Sequence, residues 1–108
     1  MTSGVIIFSE LRDGAFELLT KGREIARQLN TELSALVIGD KDDKKLRPYF
    51  EYGAQKIFLV SADGIEELDA ETCANVIFEV TKENGPDIVL IRSSRLGKET
   101  AGRVAQKL

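Results

Sequence analysis

Four short apolar segments, separated by stretches with helical spacing, constrain the fold of this chain more than any other feature. They lie near residues 5–8, 33–38, 57–60 and 87–91. Such apolar runs are typical of strands in a parallel sheet that is covered on both faces. Helices are predicted near residues 16–30, 41–52, 70–84 and 97–108, and strands joined through helices run parallel with right-handed crossovers. The sequence therefore predicts an α/β fold, a doubly wound parallel sheet in a three-layer α/β/α arrangement.

The long connection between the third and fourth strands predicts the order of the strands. A chain that crosses back over the sheet there has the order 3-2-1-4, with a switch point between the first and fourth strands. The loops that follow these two strands, 9–14 and 92–98, then face each other across a crevice. In open α/β sheets, ligands bind beyond the carboxyl ends of the strands at such a position.

Glycine residues predict where several helices begin and end. The segment Arg12-Asp-Gly14 is typical of a turn in which Gly14 adopts positive φ. Gly53 and Gly85 are expected just beyond the ends of the second and third helices. The apolar face of the last helix is predicted to consist of Ala101, Val104, Ala105 and Leu108.

Composition and charge narrow the classes of function. The chain has 108 residues, which fits one domain, and its net charge of −3 argues against non-specific binding to nucleic acid. No apolar run approaches the roughly 20 residues of a membrane helix, and the first residues lack the pattern of a signal peptide. The lone Cys73 cannot form an internal disulfide, so a reducing, cytoplasmic compartment is expected.

No catalytic or metal-binding residues are predicted. The sequence contains no histidine, and its paired carboxylates come with no base, nucleophile or set of metal ligands. Cys73 falls on an apolar helical face, where a thiol is interpreted as a small buried hydrophobic group.

The two loops at the switch point supply the candidate binding residues. Small and polar residues with free backbone N–H groups at a helix N-terminus can cradle a phosphate. The sequence does not match a P-loop, because Arg92 stands where the first glycine belongs and Glu99 where the magnesium-binding hydroxyl belongs. The alternative is that Ser93 or Ser94 only caps the helix and Lys98 is solvated. The candidate residues of this nucleotide crevice are Ser9, Glu10, Ser93, Ser94, Gly97, Lys98 and Thr100.

Six segments together resemble the N-terminal domain of the electron transfer flavoprotein alpha subunit. They span nearly the whole chain in the order and spacing of that family. The sequence departs from the family pattern at Leu11, where histidine is usual, and at Lys98 and Glu99, where Arg-Asp is usual. The segments are 8–14 (FSELRDG), 17–26 (ELLTKGREIA), 32–39 (ELSALVIG), 52–56 (YGAQK), 83–87 (ENGPD) and 94–105 (SRLGKETAGRVA).

The resemblance implies a fold like that of adenine nucleotide alpha hydrolases and universal stress proteins. In the flavoprotein it implies FAD held mainly by a separate C-terminal domain, which this sequence lacks, and AMP in the beta subunit. Residues 1–108 would then be a single docking domain that binds the beta subunit, binds no cofactor tightly and performs no redox chemistry. The alternative is a free-standing adenine-nucleotide-binding module of the universal stress protein type.

The fourth strand also predicts self-association. If no fifth strand covers it, residues 87–91 form an unpaired apolar edge, which proteins normally protect. A two-fold homodimer that buries this edge or an adjacent helix is therefore expected for the isolated chain, and a monomer whose last helix shields the edge is the alternative.

Overall fold

The computed structural model describes residues 4–39, 41–65 and 68–107 and shows strands and helices in strict alternation. The strands β1–β4 form one sheet with the order β3-β2-β1-β4, and each paired neighbour runs parallel. This confirms the predicted α/β class and strand order. In chain order the elements are β1 (Gly4–Phe8), α1 (Arg12–Gln28), β2 (Glu32–Ile38), α2 (Asp43–Glu51), β3 (Lys56–Val60), α3 (Ala70–Asn84), β4 (Ile88–Ile91) and α4 (Arg95–Lys107).

The central strand β1 divides the core into two layers. All five of its residues are buried, and because side chains alternate along a strand, they point in turn to opposite faces of the sheet. Val5 and Ile7 pack with residues of α1 and α2, such as Leu19. Ile6 and Phe8 pack with residues of α3 and α4. A strand that is buried on both faces explains why its sequence shows no polar alternation.

The predicted turn at Gly14 is wrong. The first helix begins at Arg12, so Gly14 is the third residue of α1, and it is absent from the residues with positive φ. The reversal of the chain takes place one step earlier, where Ser9 Oγ accepts a hydrogen bond from the Leu11 N–H at 3.1 Å and donates to the Leu11 carbonyl at 2.7 Å. Serine side chains form such turns by bonding to nearby backbone groups.

The predicted apolar face of the last helix is also wrong. Val104 is buried as expected, but Ala101 and Ala105 are exposed, and Leu108 lies outside the described residues. The buried positions are Gly97, Thr100 and Val104, which share one face through the i, i+3, i+4 spacing of a helix. The helix packs against α3, and Val104 on this face joins the core cluster that contains Cys73 and Ile77 of α3.

Two helices end at the glycine residues that the sequence analysis predicted for their ends. Gly85, at the end of α3, has a φ of 56° in the left-handed region, and Gly53, just beyond α2, has a φ of 116°. Glycine adopts these conformations without the steric cost that a Cβ would impose.

Candidate functional site

The loops after β1 and β4 are in direct contact through one carboxylate. Glu10 Oε1 accepts a hydrogen bond from Ser94 Oγ at 2.8 Å and lies 3.3 Å from Arg92 Nη1. The Glu10 side chain is only 14% exposed, whereas that of Arg92 is 36% exposed. The two predicted loops therefore do face each other at the switch point, and a largely buried carboxylate joins them.

Ser94 caps α4. Its Oγ accepts a hydrogen bond from the Gly97 N–H at 2.9 Å, which satisfies one of the free N–H groups of the first helical turn. One hydroxyl thus accepts from the helix and donates to the Glu10 carboxylate. A carboxylate close to a helix N-terminus is electrostatically favourable.

Arg92 is held between the two helices that leave the crevice. A Cβ built on Gly14 would lie 2.2 Å from Arg92 Cδ, and one built on Gly97 would lie 1.8 Å from the Arg92 carbonyl oxygen. Glycine is therefore required at position 97, which faces a backbone carbonyl, whereas a Cβ at position 14 would displace the Arg92 side chain. Sequence reasoning missed Arg92 as a member of this cluster, although its place directly after β4 at the switch point was the available signal.

Two side-chain oxygens at this cluster are buried, and neither makes a hydrogen bond of standard geometry with the described residues. They are Glu10 Oε2 and Thr100 Oγ1.

Burial, together with the negative charges of Glu10 and Asp69, raises the pKa of the Cys73 thiol to about 11, and the nearby Thr100 hydroxyl acts in the opposite direction. Cys73 is fully buried, so the interpretation of a buried hydrophobic thiol is confirmed.

A cavity of about 640 Å³ lies beside this cluster, over the ends of β1 and β2. Its apolar walls include Phe8, Val37 and Leu46, and its polar lining includes Ser9 and Glu10. Volumes of this size are typical of sites for small ligands. The cavity is bounded by α2 rather than by α4, because its lining includes residues of α2 and none of the loop after β4.

Arg12 connects α1 to the α2 side of the cavity. Its Nη2 donates to the Lys45 carbonyl at 3.0 Å, and its guanidinium lies over the Phe16 ring at 5.7 Å from the centroid. Burial raises the pKa of the Tyr49 phenol, while the charge and hydrogen bond of Arg12 lower it. Sequence reasoning placed Arg12 in a turn and did not identify Tyr49, whose position in the cavity depends on the packing of α2 on α1.

The seven predicted site residues separate into three groups. Glu10 and Ser94 meet through a hydrogen bond, and Ser9 joins Glu10 in the cavity lining. Gly97 and Thr100 are buried in the face of α4 that packs on α3. Ser93 and Lys98 are exposed.

The residues at the switch point do not fit the pyrophosphate of a dinucleotide such as FAD. Such a group needs free N–H donors at a helix N-terminus and a close glycine backbone. Here Ser94 bonds to the Gly97 N–H, the Arg92 carbonyl lies against Gly97, and the Glu10 carboxylate brings negative charge to the same place. No chemistry of a flavin is therefore assigned to this domain.

The described part of the chain contains neither a cluster of metal ligands nor a membrane-spanning helix. No group of three or more potential ligands from His, Cys, Asp and Glu is close enough to hold a metal ion in residues 4–39, 41–65 and 68–107. None of the helices in that part of the chain is both long and apolar enough to cross a membrane.

The fold defines a class of parallel α/β domain that solved universal stress proteins share. The universal stress protein from Archaeoglobus fulgidus aligns with a TM-score of 0.64 and 17% identity, over 99% of this chain and 93% of that chain. A universal stress protein in complex with cAMP aligns with a TM-score of 0.63 and 16% identity, over 97% and 88% of the two chains. At such identities the likeness shows the fold alone.

Within that class, the chain belongs to the electron transfer flavoprotein domain family, whose model matches residues 7–108. The electron transfer flavoprotein subunit alpha of Clostridium acetobutylicum is 31% identical over 97% of this chain and 33% of its own length. The same subunit of Megasphaera elsdenii is 31% identical over 97% of this chain and 32% of its own length. The resemblance to alpha subunits is confirmed, and the chain spans about a third of the length of these relatives.

Proposed function

We propose that this domain is a docking and scaffold part of an electron transfer flavoprotein alpha subunit, with no redox chemistry of its own. The match of the family model over residues 7–108 carries the proposal. The geometry supports it, because the crevice in which a nucleotide phosphate would bind is filled by Glu10, Arg92 and Ser94. The domain is thus an electron-carrier component rather than an enzyme.

In this proposal the cofactors lie elsewhere in the assembly. FAD belongs to a C-terminal domain of the alpha subunit, AMP belongs to the beta subunit, and the present domain binds neither tightly. Its partners are the beta subunit and that flavin domain. A cytoplasmic location fits the buried, unpaired Cys73.

The docking function can be tested by mixing the purified chain with an electron transfer flavoprotein beta subunit from the same source. Light scattering after size exclusion should show a one-to-one complex, and the chain alone should show no flavin absorbance after dialysis. A universal stress protein is a matched control, since it shares the fold and should not bind the beta subunit. Absence of a complex would contradict docking, and a flavin retained by the isolated chain would contradict the assignment of FAD elsewhere.

For the isolated chain we propose a homodimer at the outer side of β4. Within the described ranges β4 pairs only with β1, and all four of its residues are partly exposed. An unpaired edge of this kind presents backbone donors and acceptors to a second copy. In a complete alpha subunit, further parts of the protein would compete for the same edge.

A second candidate function rests on the cavity beside α2. Its lining combines apolar side chains with polar and charged ones, a mixture that suits a nucleoside, and a neighbour of the same fold is a complex with cAMP. Adenosine added to isotope-labelled chain should shift the amide resonances of Gly39 and Leu46, which line the cavity. A Leu46→Trp variant, which fills the cavity, is the matched control and should abolish the shifts. Unchanged resonances in the unmodified chain at millimolar adenosine would exclude this function.

A further inference from the structure

We propose that Glu10 is an internal anion that excludes anionic ligands from the crevice between the loops after β1 and β4. Its carboxylate lies at the beginning of α4, where a ligand phosphate would otherwise bind. This inference is independent of docking to a beta subunit. It identifies Glu10 as the residue that keeps a phosphate out of this crevice.

The Glu10 carboxylate makes the contacts that a bound phosphate would make. Glu10 Oε1 receives both the Ser94 hydroxyl at 2.8 Å and the Arg92 guanidinium at 3.3 Å. A hydroxyl at a helix start and a guanidinium are the groups that a phosphate oxygen would accept from. The protein's own carboxylate uses both of them.

The Glu10 side chain is also largely buried. The Glu10 side chain is 14% exposed, and its second oxygen, Oε2, is buried. The carboxylate therefore occupies volume inside the crevice and is not a solvated charge at its rim. A ligand phosphate would have to displace it or be placed against its negative charge, and both are unfavourable.

The charges of Glu10 and Arg92 balance each other. Arg92 is the cation that contacts the carboxylate, so the pair presents little net charge to an incoming anion. Removing the carboxylate alone would leave the Arg92 guanidinium, the Ser94 hydroxyl and the positive end of α4 without their anion. The crevice would then carry positive potential and open volume together.

The test uses inorganic phosphate as the probe and the Glu10→Ala variant, with amide resonances of the α4 start followed by NMR at constant ionic strength. The variant should bind phosphate at least about tenfold more tightly than the unmodified chain, with the largest shifts at Leu96 and Gly97. Glu99→Ala is the matched control. It removes one negative charge from the same end of α4, where Glu99 is 58% exposed, but it opens no volume, and it should give no gain.

Three outcomes would overturn the proposal. They are equal phosphate affinity in the unmodified chain and Glu10→Ala, an equal gain in Glu99→Ala, and a folded Glu10→Ala chain whose α4 resonances do not respond. If Glu10→Ala does not fold, Glu10→Ser removes the charge and most of the side-chain volume while it keeps a hydroxyl group beside Arg92 and Ser94. That variant should show a smaller but measurable gain, and no gain would contradict the role of the carboxylate.

Discussion

Two glycines of α4 differ in what surrounds them, and this difference makes a matched test at the scale of single residues. A Cβ on Gly97 would lie 1.8 Å from the Arg92 carbonyl, whereas a Cβ on Gly102 would meet nothing within 4 Å. Gly97→Ala should lower the free energy of unfolding by about 1–3 kcal/mol through overpacking. Gly102→Ala should raise it by about 0.5–1 kcal/mol, because alanine is the better helix former. Urea titrations of both variants measure the effects, and destabilisation of equal size would contradict the proposed close approach.

Asp69 should make the stability of the domain depend on pH in the acid range. Hydrogen bonds from Thr72, at 2.8 Å to Asp69 Oδ1 for the backbone N–H, lower the pKa of this carboxyl below its usual 3.8. A group whose folded pKa is depressed stabilises the fold above its unfolded pKa, and the contribution is lost as the pH falls through the folded pKa. Asp69→Asn keeps the helix cap but does not titrate. The difference in melting temperature between the two chains should be largest near pH 7 and shrink below about pH 4, and a constant difference would contradict the shift.

Cys73 should be unreactive in the folded protein. Burial raises its pKa to about 11, and only the thiolate attacks a disulfide reagent. Near pH 8 the native chain should react with such a reagent at least about a hundredfold more slowly than the urea-unfolded chain, whose thiol has the ordinary pKa of about 8.5. Rapid labelling of the native chain would show that the thiol is accessible, contrary to its complete burial.

At the scale of elements, α2 and α3 differ in how firmly they are anchored. The buried residue of α2 is Tyr49, which packs against Phe16 with ring centroids 5.2 Å apart. The buried residues of α3 are Ala70, Cys73, Ala74, Ile77 and Val80. Local opening requires less free energy where fewer apolar groups are buried.

The amides of α2 should therefore exchange with solvent deuterium faster than those of α3. Mass spectrometry of exchanged peptides measures this, and a Phe16→Ala variant should accelerate exchange in α2 while leaving α3 nearly unchanged. Equal protection of the two helices in the unmodified chain would show that α2 is held by more than its contact with α1.

At the scale of the whole molecule, the outer side of β4 should govern association. Arg92, directly after β4, donates its N–H to the Phe8 carbonyl at 3.1 Å, so the period of two along a strand directs the N–H groups of Val89 and Ile91 outward. Light scattering should show a dimer of twice the 11.9 kDa chain mass. The Val89 and Ile91 amides should lose protection from exchange on dilution. A concentration-independent mass near 11.9 kDa would exclude the dimer.

The candidate site was only partly predictable from residues. The sequence placed two polar loops at one switch point, and the structure confirms that Glu10 and Ser94 meet there. It did not show that Gly97 is closed off by the Arg92 carbonyl, or that the accessible cavity lies toward α2. Both facts depend on how helices pack, which a one-dimensional pattern does not contain.

The sequence by itself determined the class and order of the sheet, because apolar runs and helical spacing are local properties and the long crossover restricts the topology. It also determined the ends of α2 and α3, since glycine is the residue that accepts left-handed φ. Only the tertiary structure decided the face of α4, the position of Gly14 inside α1 and the contacts of Glu10. These features arise from contacts such as that between Glu10 and Ser94, which are 84 positions apart in the chain. Such contacts exist only after the sheet has assembled.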